Sequence, residues 1–358
     1  MPQIRPVFLL ASLIAPLSFS QVSYARNAAR CDECHFAPTR FGSGPIIVAR
    51  VGTLTDGKFV PGEEGGIRHS ESASGSDQGT DSIFGERVTL NLLGDGLVEA
   101  IDSRDILNNA ARQRALSSEI RGIATTVPVL EAETELQVGR FGWKAQHASL
   151  MSSCADSLRN ELGIRNRLYW DEYPNHRSSA TPFDNPDPKT GKTQLESLLD
   201  EIRHTTPPER DRHLAAGPDA FQGEELFAQI GCALCHVSTY RTLPAGTVIN
   251  GGTYRIPDYL GGIVIHPFSD FLLHDVGTGD GIPQAATQQY LDQSTANKFR
   301  TPPLWGVRFR SWMMHDGKSV TYHQAIMRHG GEARKVRERY EALPPVQKEQ
   351  LRAFLNSL

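Results

Sequence analysis

The chain has 358 residues, 39% hydrophobic and 22% charged, which is ordinary for a globular protein and long enough for two domains with separate cores. Its net charge of −4 gives no reason to expect a nucleic-acid partner or an anionic membrane surface. The 32 glycines and 22 prolines indicate many turns and long connections, without reaching a disordered composition.

The first 25 residues are typical of a targeting segment. Arg5 gives a positive start, residues 7–19 are mainly apolar, and Ser23-Tyr24-Ala25 places small residues at the −3 and −1 positions of a cleavage site. A membrane anchor is the weaker interpretation, because the apolar stretch is shorter than the roughly 18–20 residues that span a bilayer. We therefore predict a signal peptide at 1–25, export to the periplasm and no stable membrane anchor.

The first half of the mature chain reads as loops, short strands and three helices. Residues 42–81 are rich in Gly, Ser and charge, with 45–51 a candidate strand. Residues 86–101 predict a buried apolar element with a break at Gly94-Asp95-Gly96. The Pro-rich stretch 173–193 predicts a linker or long surface loop. Helices are predicted at 104–116, 145–162 and 194–204.

The second half has two clear amphipathic helices. Pro218 opens the first, which runs directly into Gly231. Four apolar residues can share one face of it: Phe221, Leu226, Phe227 and Ile230. Residues 345–358 form the second, which could pack across the first.

Four of the five cysteines fall in two C-x-x-C-H motifs, at 31–35 and 232–236. Two thiols at this spacing can form thioether bonds with the two vinyl groups on one edge of a haem, and the following histidine then reaches the iron. We therefore predict two covalent c-type haems. The attachment residues would be Cys31, Cys34, Cys232 and Cys235, with His35 and His236 as iron ligands.

Two other interpretations of the motifs were weighed. A redox dithiol would need a thioredoxin-like βαβ pattern, which is absent, and a single zinc site would have to join two widely separated motifs. The first motif is the less secure one, because residues 26–30 cannot form the helix that normally precedes it. Cys154 is predicted to be a buried free thiol on a helix.

Residues 299–332 are the richest source of further iron ligands. Thr321 with Gln324 resembles a capping box, so a helix is expected at 322–329, ended by Gly330-Gly331. The candidate ligands here are Met313, Met314, His315, His323, Met327 and His329.

This region also resembles a known family. FRTPPLWG (299–306) followed by MHDGKSVTYHQAIMRHGGEA (314–333) resembles the C-terminal half of the di-haem cytochrome c peroxidase superfamily. The nearest resemblance is to the di-haem oxidoreductase family, often labelled thiol oxidoreductases. Further motifs fit in the same order: ERVTLNLLGDGLVEAI (86–101), GRFGWKAQ (139–146), ELGIRN (161–166), GCALCH (231–236) and IHPFSDFLLHDVG (265–277).

The resemblance implies a mainly α fold, with two cytochrome c-like domains, long loops and a few short strands. We expect an N-terminal haem c domain at 26–205 and a C-terminal cytochrome c domain at 206–358, with the two haems facing each other across an interface. Calcium at that interface is implied by the resemblance alone, since the GTGDG segment at 277–281 is too short to support it.

The resemblance also implies a distal ligand for the C-terminal haem, from the helix after the HDG motif. That position falls on His329, with Met327 as the alternative; His329 could also merely cap the helix. His315 and Asp316 are expected to shape the interface or the pocket rather than to bind iron. His266 and His274 are candidates for hydrogen bonds to haem propionates or for purely structural roles.

The haem on His35 would then be the peroxidatic one, with a sixth position that the sequence does not identify. Trp143 lies between the two haem motifs and could relay electrons, although an aromatic residue in such a segment is more often part of a core. Relative to the family the chain is shortened before its first motif, which leaves substrate access undefined.

Together these features predict an exported, peroxidase-like di-haem oxidoreductase. Electrons would pass from the C-terminal to the N-terminal haem, for reduction of peroxide or a related small-molecule oxidant. Thiol oxidation is suggested by the family label, but no residue pattern selects a thiol substrate. A small cytochrome or cupredoxin is the expected electron donor. The alternative is a periplasmic di-haem electron-transfer cytochrome without catalytic turnover.

Overall fold

The computed structural model describes residues 23–24, 30–55, 58–61, 67–68, 82–117, 119–132, 135–162, 166–169, 185–285 and 291–358. The predicted signal peptide lies almost wholly outside these residues, and so does the greater part of the predicted linker at 173–193. Within the described ranges, no helix combines the length and the hydropathy needed to cross a membrane.

A five-stranded sheet includes one strand before the first cysteine motif and four strands after it. Its central strand, β2 (Ile46–Thr55), is rich in β-branched residues, which pack well on a pleated surface. It pairs in parallel with β1 (Ser23–Tyr24) and antiparallel with β3 (Lys58–Pro61), β4 (Ile67–Arg68) and β5 (Ser82–Val88). The β2–β5 register runs from Ile47 opposite Val88 to Thr53 opposite Ser82, which brings the end of β5 beside the first motif.

Nine α-helices lie in the described part of the chain. They are α1 (Asp95–Glu99), α2 (Ser103–Leu116), α3 (Leu150–Leu162), α4 (Gln194–Arg203), α5 (Arg212–Ala215), α6 (Pro218–Gln229), α7 (Tyr322–Met327), α8 (Arg334–Glu341) and α9 (Pro345–Ser357). The predicted helices at 104–116, 194–204 and 345–358 are confirmed to within a residue at each end.

The remaining strands are short and form five two-stranded ladders. They are β6 (Thr126–Pro128) with β7 (Leu136–Val138), β8 (Tyr240–Arg241) with β11 (Val264–Ile265), β9 (Val248–Ile249) with β10 (Tyr254–Arg255), β12 (Leu273–His274) with β15 (Phe299–Arg300), and β13 (Gln284–Ala285) with β14 (Leu291–Asp292).

The expected mainly α fold with two cytochrome c-like domains is wrong, because the chain is mixed α and β. The expectation of loops and short strands at 42–81 underestimated the sheet, because β2 extends over Ile46–Thr55 and has four partner strands. The Gly- and Pro-rich connections of the second half pair as short ladders, since their composition disfavours helix. A candidate strand at 45–51 was only part of this sheet.

Two apolar clusters form most of the core. The larger one joins residues from both halves of the chain, including Leu97, Leu150, Leu199, Phe271 and Leu272. The smaller one packs α6 against α9 through Phe227, Phe268, Tyr340 and Phe354. A Cβ at Gly223 would lie 2.0 Å from the Gln350 carbonyl oxygen, so this close helix crossing requires glycine. The predicted domain boundary between 205 and 206 stays a prediction.

Candidate functional site

The two C-x-x-C-H motifs fold into the same backbone turn. Each begins with a single 3-10 turn, Cys31–Glu33 in the first and Cys232–Leu234 in the second. In each, the histidine N–H donates to the carbonyl of the first cysteine at 2.9 Å, and the second cysteine N–H donates to the same oxygen at 3.2 Å. All four motif cysteines are free thiols. Both turns therefore present two thiols and one imidazole in the same order.

The two motif histidines are held in the tautomer that can bind a metal. Nδ1 of His35 donates to the Leu90 carbonyl at 2.9 Å, and Nδ1 of His236 donates to the Phe268 carbonyl at 3.0 Å. Because a carbonyl oxygen only accepts, Nδ1 carries the proton and Nε2 keeps its lone pair. Burial lowers the pKa of both imidazoles to about 4, so both are neutral at pH 7, as metal ligation requires.

The second motif opens into the larger of two cavities, here called the C-terminal cavity. It encloses about 1530 Å³ of empty space, counting the part open to solvent. Cys232, Cys235 and His236 form one side of it. Apolar side chains of α6, α9 and the connection before the HDG motif complete the walls: Phe227, Leu351, Leu355, Leu304 and Val307. Its size and apolar lining fit a large planar cofactor.

His329 lines the same cavity. Its Nδ1 donates to the Ala325 carbonyl at 2.7 Å, which again leaves Nε2 available. Burial is the main cause that lowers the pKa of His236, and the charge of His329 is the second. The two imidazoles therefore lie close enough to interact. Met327 packs in the smaller apolar cluster and is not among the residues that line the cavity. The distal ligand stays a prediction, and this arrangement favours His329.

The other histidines of the second half lie in different surroundings. His315 lines the C-terminal cavity and stacks on Phe299 with 3.6 Å between ring centroids. Its Nε2 donates to the Thr278 carbonyl at 2.7 Å, while its buried Nδ1 has no hydrogen-bond partner among the described residues. His274 is buried and lines the cavity, whereas His266 is exposed and contacts Thr239. Among the propionate candidates, only His274 therefore reaches the cavity.

The first motif opens into a second cavity of about 940 Å³, here called the N-terminal cavity. Cys31, Cys34 and His35 lie on one side of it, and α3 lies across from them. Cys154 of α3 lines this cavity and is partly buried, and burial raises the pKa of its thiol. The described lining residues include no histidine or methionine besides His35. The side of this cavity facing His35 thus differs from the side of the C-terminal cavity facing His236, which includes His329.

Two carboxyl groups face the N-terminal cavity. Burial raises the pKa of Asp95 to about 8 and that of Glu161 to about 7, and both residues line the cavity. Such values poise a carboxyl group to exchange protons near neutral pH. The sequence motifs GDG and ELGIRN contain these residues, but only the placement of α1 and α3 across from His35 gives them a common site.

Trp143 separates the two cavities and lines both of them. Its Nε1 donates to the Val88 carbonyl at 2.8 Å, at the end of β5. Its own carbonyl accepts the Arg300 N–H at 2.9 Å. The side chain packs with Cys34 against Val48. The indole is therefore fixed from both sides in the wall between the two motifs.

Three arginines line the C-terminal cavity, Arg300, Arg310 and Arg337, and none of them was singled out from the sequence. Burial lowers the pKa of Arg300 and of Arg310 to about 10, so both remain charged at pH 7. Asp95 partly offsets this effect on Arg300. Arginine pairs well with carboxylates, so these two residues are suited to hold the propionates of a haem. The thiols, the Nε2 atoms, the cavities and the arginines together fit that group.

Of the comparisons with known proteins, the family match agrees with this chemistry. A family model described as "Di-haem oxidoreductase, putative peroxidase" matches residues 66–358, a range that begins after the first motif and includes the second. No curated protein matches the chain. One similar solved structure is a hydrazine synthase of Kuenenia stuttgartiensis pressurized with 20 bar xenon, with 14% identity, full coverage of both chains and a TM-score of 0.39. On the family match over most of its length, this chain belongs to the di-haem oxidoreductase family.

Proposed function

We propose that the protein is an exported, peroxidase-like di-haem oxidoreductase with two covalently attached c-type haems. Electrons enter at the His236 site and reach the His35 site, where peroxide or a related oxidant is reduced. The proposal rests mainly on the position of Trp143. Its side chain lines two cavities, and each cavity contains one C-x-x-C-H motif.

Haem supplies the one-electron redox chemistry when it is bound. The chain contributes Cys31 and Cys34, and Cys232 and Cys235, for the two attachments. His35 and His236 each present Nε2 because a backbone carbonyl holds Nδ1. This arrangement fixes both rings before the cofactor binds, which favours a defined ligand geometry.

The C-terminal site is suited to electron transfer. His329 presents a second imidazole to the cavity that contains His236, and two protein ligands favour electron transfer over substrate binding. The cavity walls are mainly apolar, which limits the reorganisation of polar groups when charge moves.

The N-terminal site is suited to reaction with a small oxidant. Reduction of one peroxide consumes two electrons and two protons and yields two waters, so the site needs a group that moves protons. Glu161, with its pKa raised to about 7 by burial, can accept a proton from peroxide and return it to the leaving oxygen. Asp95 lines the same cavity and is a second candidate.

The N-terminal sequence supports export, and covalent attachment of haem suits an exported protein. A small cytochrome or cupredoxin is the proposed electron donor. Calcium remains an expectation of the family resemblance, and Asp280 of the GTGDG segment is paired instead with Arg87 and Lys144.

The first experiment is a pyridine haemochrome assay on protein purified from a host that matures c-type cytochromes. Two haems per chain are expected. Optical and EPR spectra in the oxidised and half-reduced states should then show one low-spin centre and one high-spin or exchangeable centre, with peroxide turnover. Two low-spin centres in every redox state, without turnover, would leave the electron carrier. Bound zinc in place of haem would refute both.

A further inference from the structure

A buried polar network connects the second C-x-x-C-H turn to the segment that follows His329. We infer that Asp270, His274 and Glu332 position His329 as a ligand, by fixing the distal segment against the turn that carries His236. The inference rests on the proposed function, since it assumes that His236 and His329 bind the same haem.

The network starts at the cysteine turn. Gln113 of α2 donates through Nε2 to the Leu234 carbonyl at 2.8 Å and to Oδ2 of Asp270 at 2.6 Å. Its Oε1 accepts the Gly122 N–H at 2.8 Å, so the whole amide is engaged. Leu234 lies between the two motif cysteines. Asp270 is therefore connected to the turn through a single side chain.

His274 is the centre of the network. Its Nε2 donates to Oδ2 of Asp270 and its Nδ1 donates to Oε2 of Glu332, each at 2.8 Å. Both acceptors are carboxylates, so both ring nitrogens carry protons and the ring is an imidazolium. Burial opposes that charge, but the Asp270 carboxylate outweighs it and the pKa of His274 lies well above its usual value.

A metal ion is the competing interpretation of this cluster. Among the described residues, Cys235, Asp270 and His274 have ligand atoms close enough together to hold one. However, an imidazolium with both nitrogens donating has no lone pair for a metal. Cys235 also belongs to the haem motif. The geometry thus favours a positioning role over a separate metal centre.

Glu332 carries the network to the distal segment, three residues after His329. Its Oε1 accepts the Asp275 N–H at 3.1 Å and its Oε2 also accepts the Arg121 N–H at 2.9 Å. The Glu332 N–H donates to the Asp275 carbonyl, and the Gly330 N–H donates to the Val276 carbonyl, both at 2.8 Å. The residues directly after His329 are thereby bound to the strand end that carries His274.

These contacts connect two sides of the C-terminal cavity. One end holds the turn that presents His236, and the other holds the segment that presents His329. Removal of the Glu332 carboxylate leaves a buried imidazolium short of one partner, which is costly. The distal segment then keeps its two backbone hydrogen bonds but loses the side-chain contacts to His274, Asp275 and Arg121, so His329 should leave the iron more often.

The test uses the full-length haem-loaded protein and the variants Glu332→Ala and Glu332→Gln. The rate at which added imidazole binds to the oxidised protein should rise at least tenfold in Glu332→Ala, and a high-spin signal should appear from one haem. Glu332→Gln should show a smaller rise, because its amide oxygen still accepts from the backbone but cannot balance the imidazolium. Two haems per chain must remain in each variant.

Glu119→Gln is the matched control. Glu119 pairs with Lys335 at 2.8 Å near the same segment but does not touch His274, so its variant should bind imidazole at the wild-type rate. A lower Tm in Glu332→Ala and Glu332→Gln without faster ligand exchange would overturn the inference. If Glu332→Ala does not fold, Glu332→Gln and Asp270→Asn decide. Wild-type protein without haem would instead refute the proposed function.

Discussion

The two C-x-x-C-H motifs form the same backbone turn but are surrounded by different structural elements. Both have the same backbone bonds and a histidine held through Nδ1 by a carbonyl. The second follows α6 directly, through Gly231 at a φ of 102°, where a Cβ would meet Arg339 and Val336. The first is instead covered by α3, α4 and the sheet. The motif therefore determines the local turn and the orientation of its histidine. Elements far along the chain determine what covers each site.

The distal sides of the two cavities show what this difference means for function. His329 faces the second motif, whereas Asp95, Cys154 and Glu161 face the first. An imidazole can close an iron site, but a carboxyl group of raised pKa can move protons there. Under the proposed function, the His236 site is thus suited to electron transfer and the His35 site to reduction of the oxidant.

The largest effect is expected from removing the attachment thiols. Cys31→Ala with Cys34→Ala should leave one covalent haem per chain, and so should Cys232→Ala with Cys235→Ala, as counted by pyridine haemochrome and intact mass. Cys154→Ser is the control, because Cys154 lines the N-terminal cavity outside the motif. Two covalent haems in either double variant would show that the thiols removed in that variant are not attachment points.

The next effect concerns the spin state at the second site. His329→Gly should convert one haem from low spin to high spin in the oxidised protein without changing the haem count. Met327→Leu should leave the EPR spectrum unchanged, since Met327 packs in the apolar cluster away from the cavity lining. The opposite pattern would assign the ligand to Met327.

A smaller effect is expected from the proton-transfer group at the first site. Burial raises the pKa of Glu161 to about 7, and only the ionised carboxylate can accept a proton. Peroxide turnover should therefore rise with pH through about 7. Glu161→Gln should lower turnover by about 10²-fold and flatten the profile, as expected for loss of a general base. An unchanged profile in Glu161→Gln would transfer this role to another group, with Asp95→Asn as the next variant.

The smallest effect is expected at the wall between the sites. Trp143→Phe keeps an aromatic ring but loses the 2.8 Å hydrogen bond to Val88, which costs about 1 kcal/mol of stability. Stopped-flow spectroscopy should show electron transfer between the haems slowed about tenfold. Phe141→Leu, in the larger apolar cluster, controls for packing. Equal rates in Trp143→Phe and wild type would indicate that the indole is structural only.

Helices with a clear apolar face could be predicted from sequence. The predicted ones include α2, α4, α6 and α9. The helix expected at 145–162 begins only at Leu150, because Ala145 has a φ of 51° and the residues before α3 form a bridge between Phe141 and His147. The sheet was underestimated because strand pairing depends on partners far along the chain, which local pattern does not specify.

The residues of the candidate site also differ in whether local sequence predicts them. The prediction that Cys31, Cys34, Cys232 and Cys235 attach haem rests on their spacing in the sequence, because this chemistry is local. Glu161 and Asp95 could not, since their pKa values depend on burial that α1 and α3 create against a motif more than 60 residues earlier. The contact between His274 and Glu332 likewise joins residues 58 positions apart.

The wall formed by Trp143 has a consequence for engineering. Because the indole borders both cavities, neither chamber can be widened at that position without also altering the other. A rotation of the ring that makes room for a bulkier oxidant on the His35 side would press into the space on the His236 side. Under the proposed function, selectivity for the oxidant at the His35 site and the position of the haem at the His236 site must therefore change together.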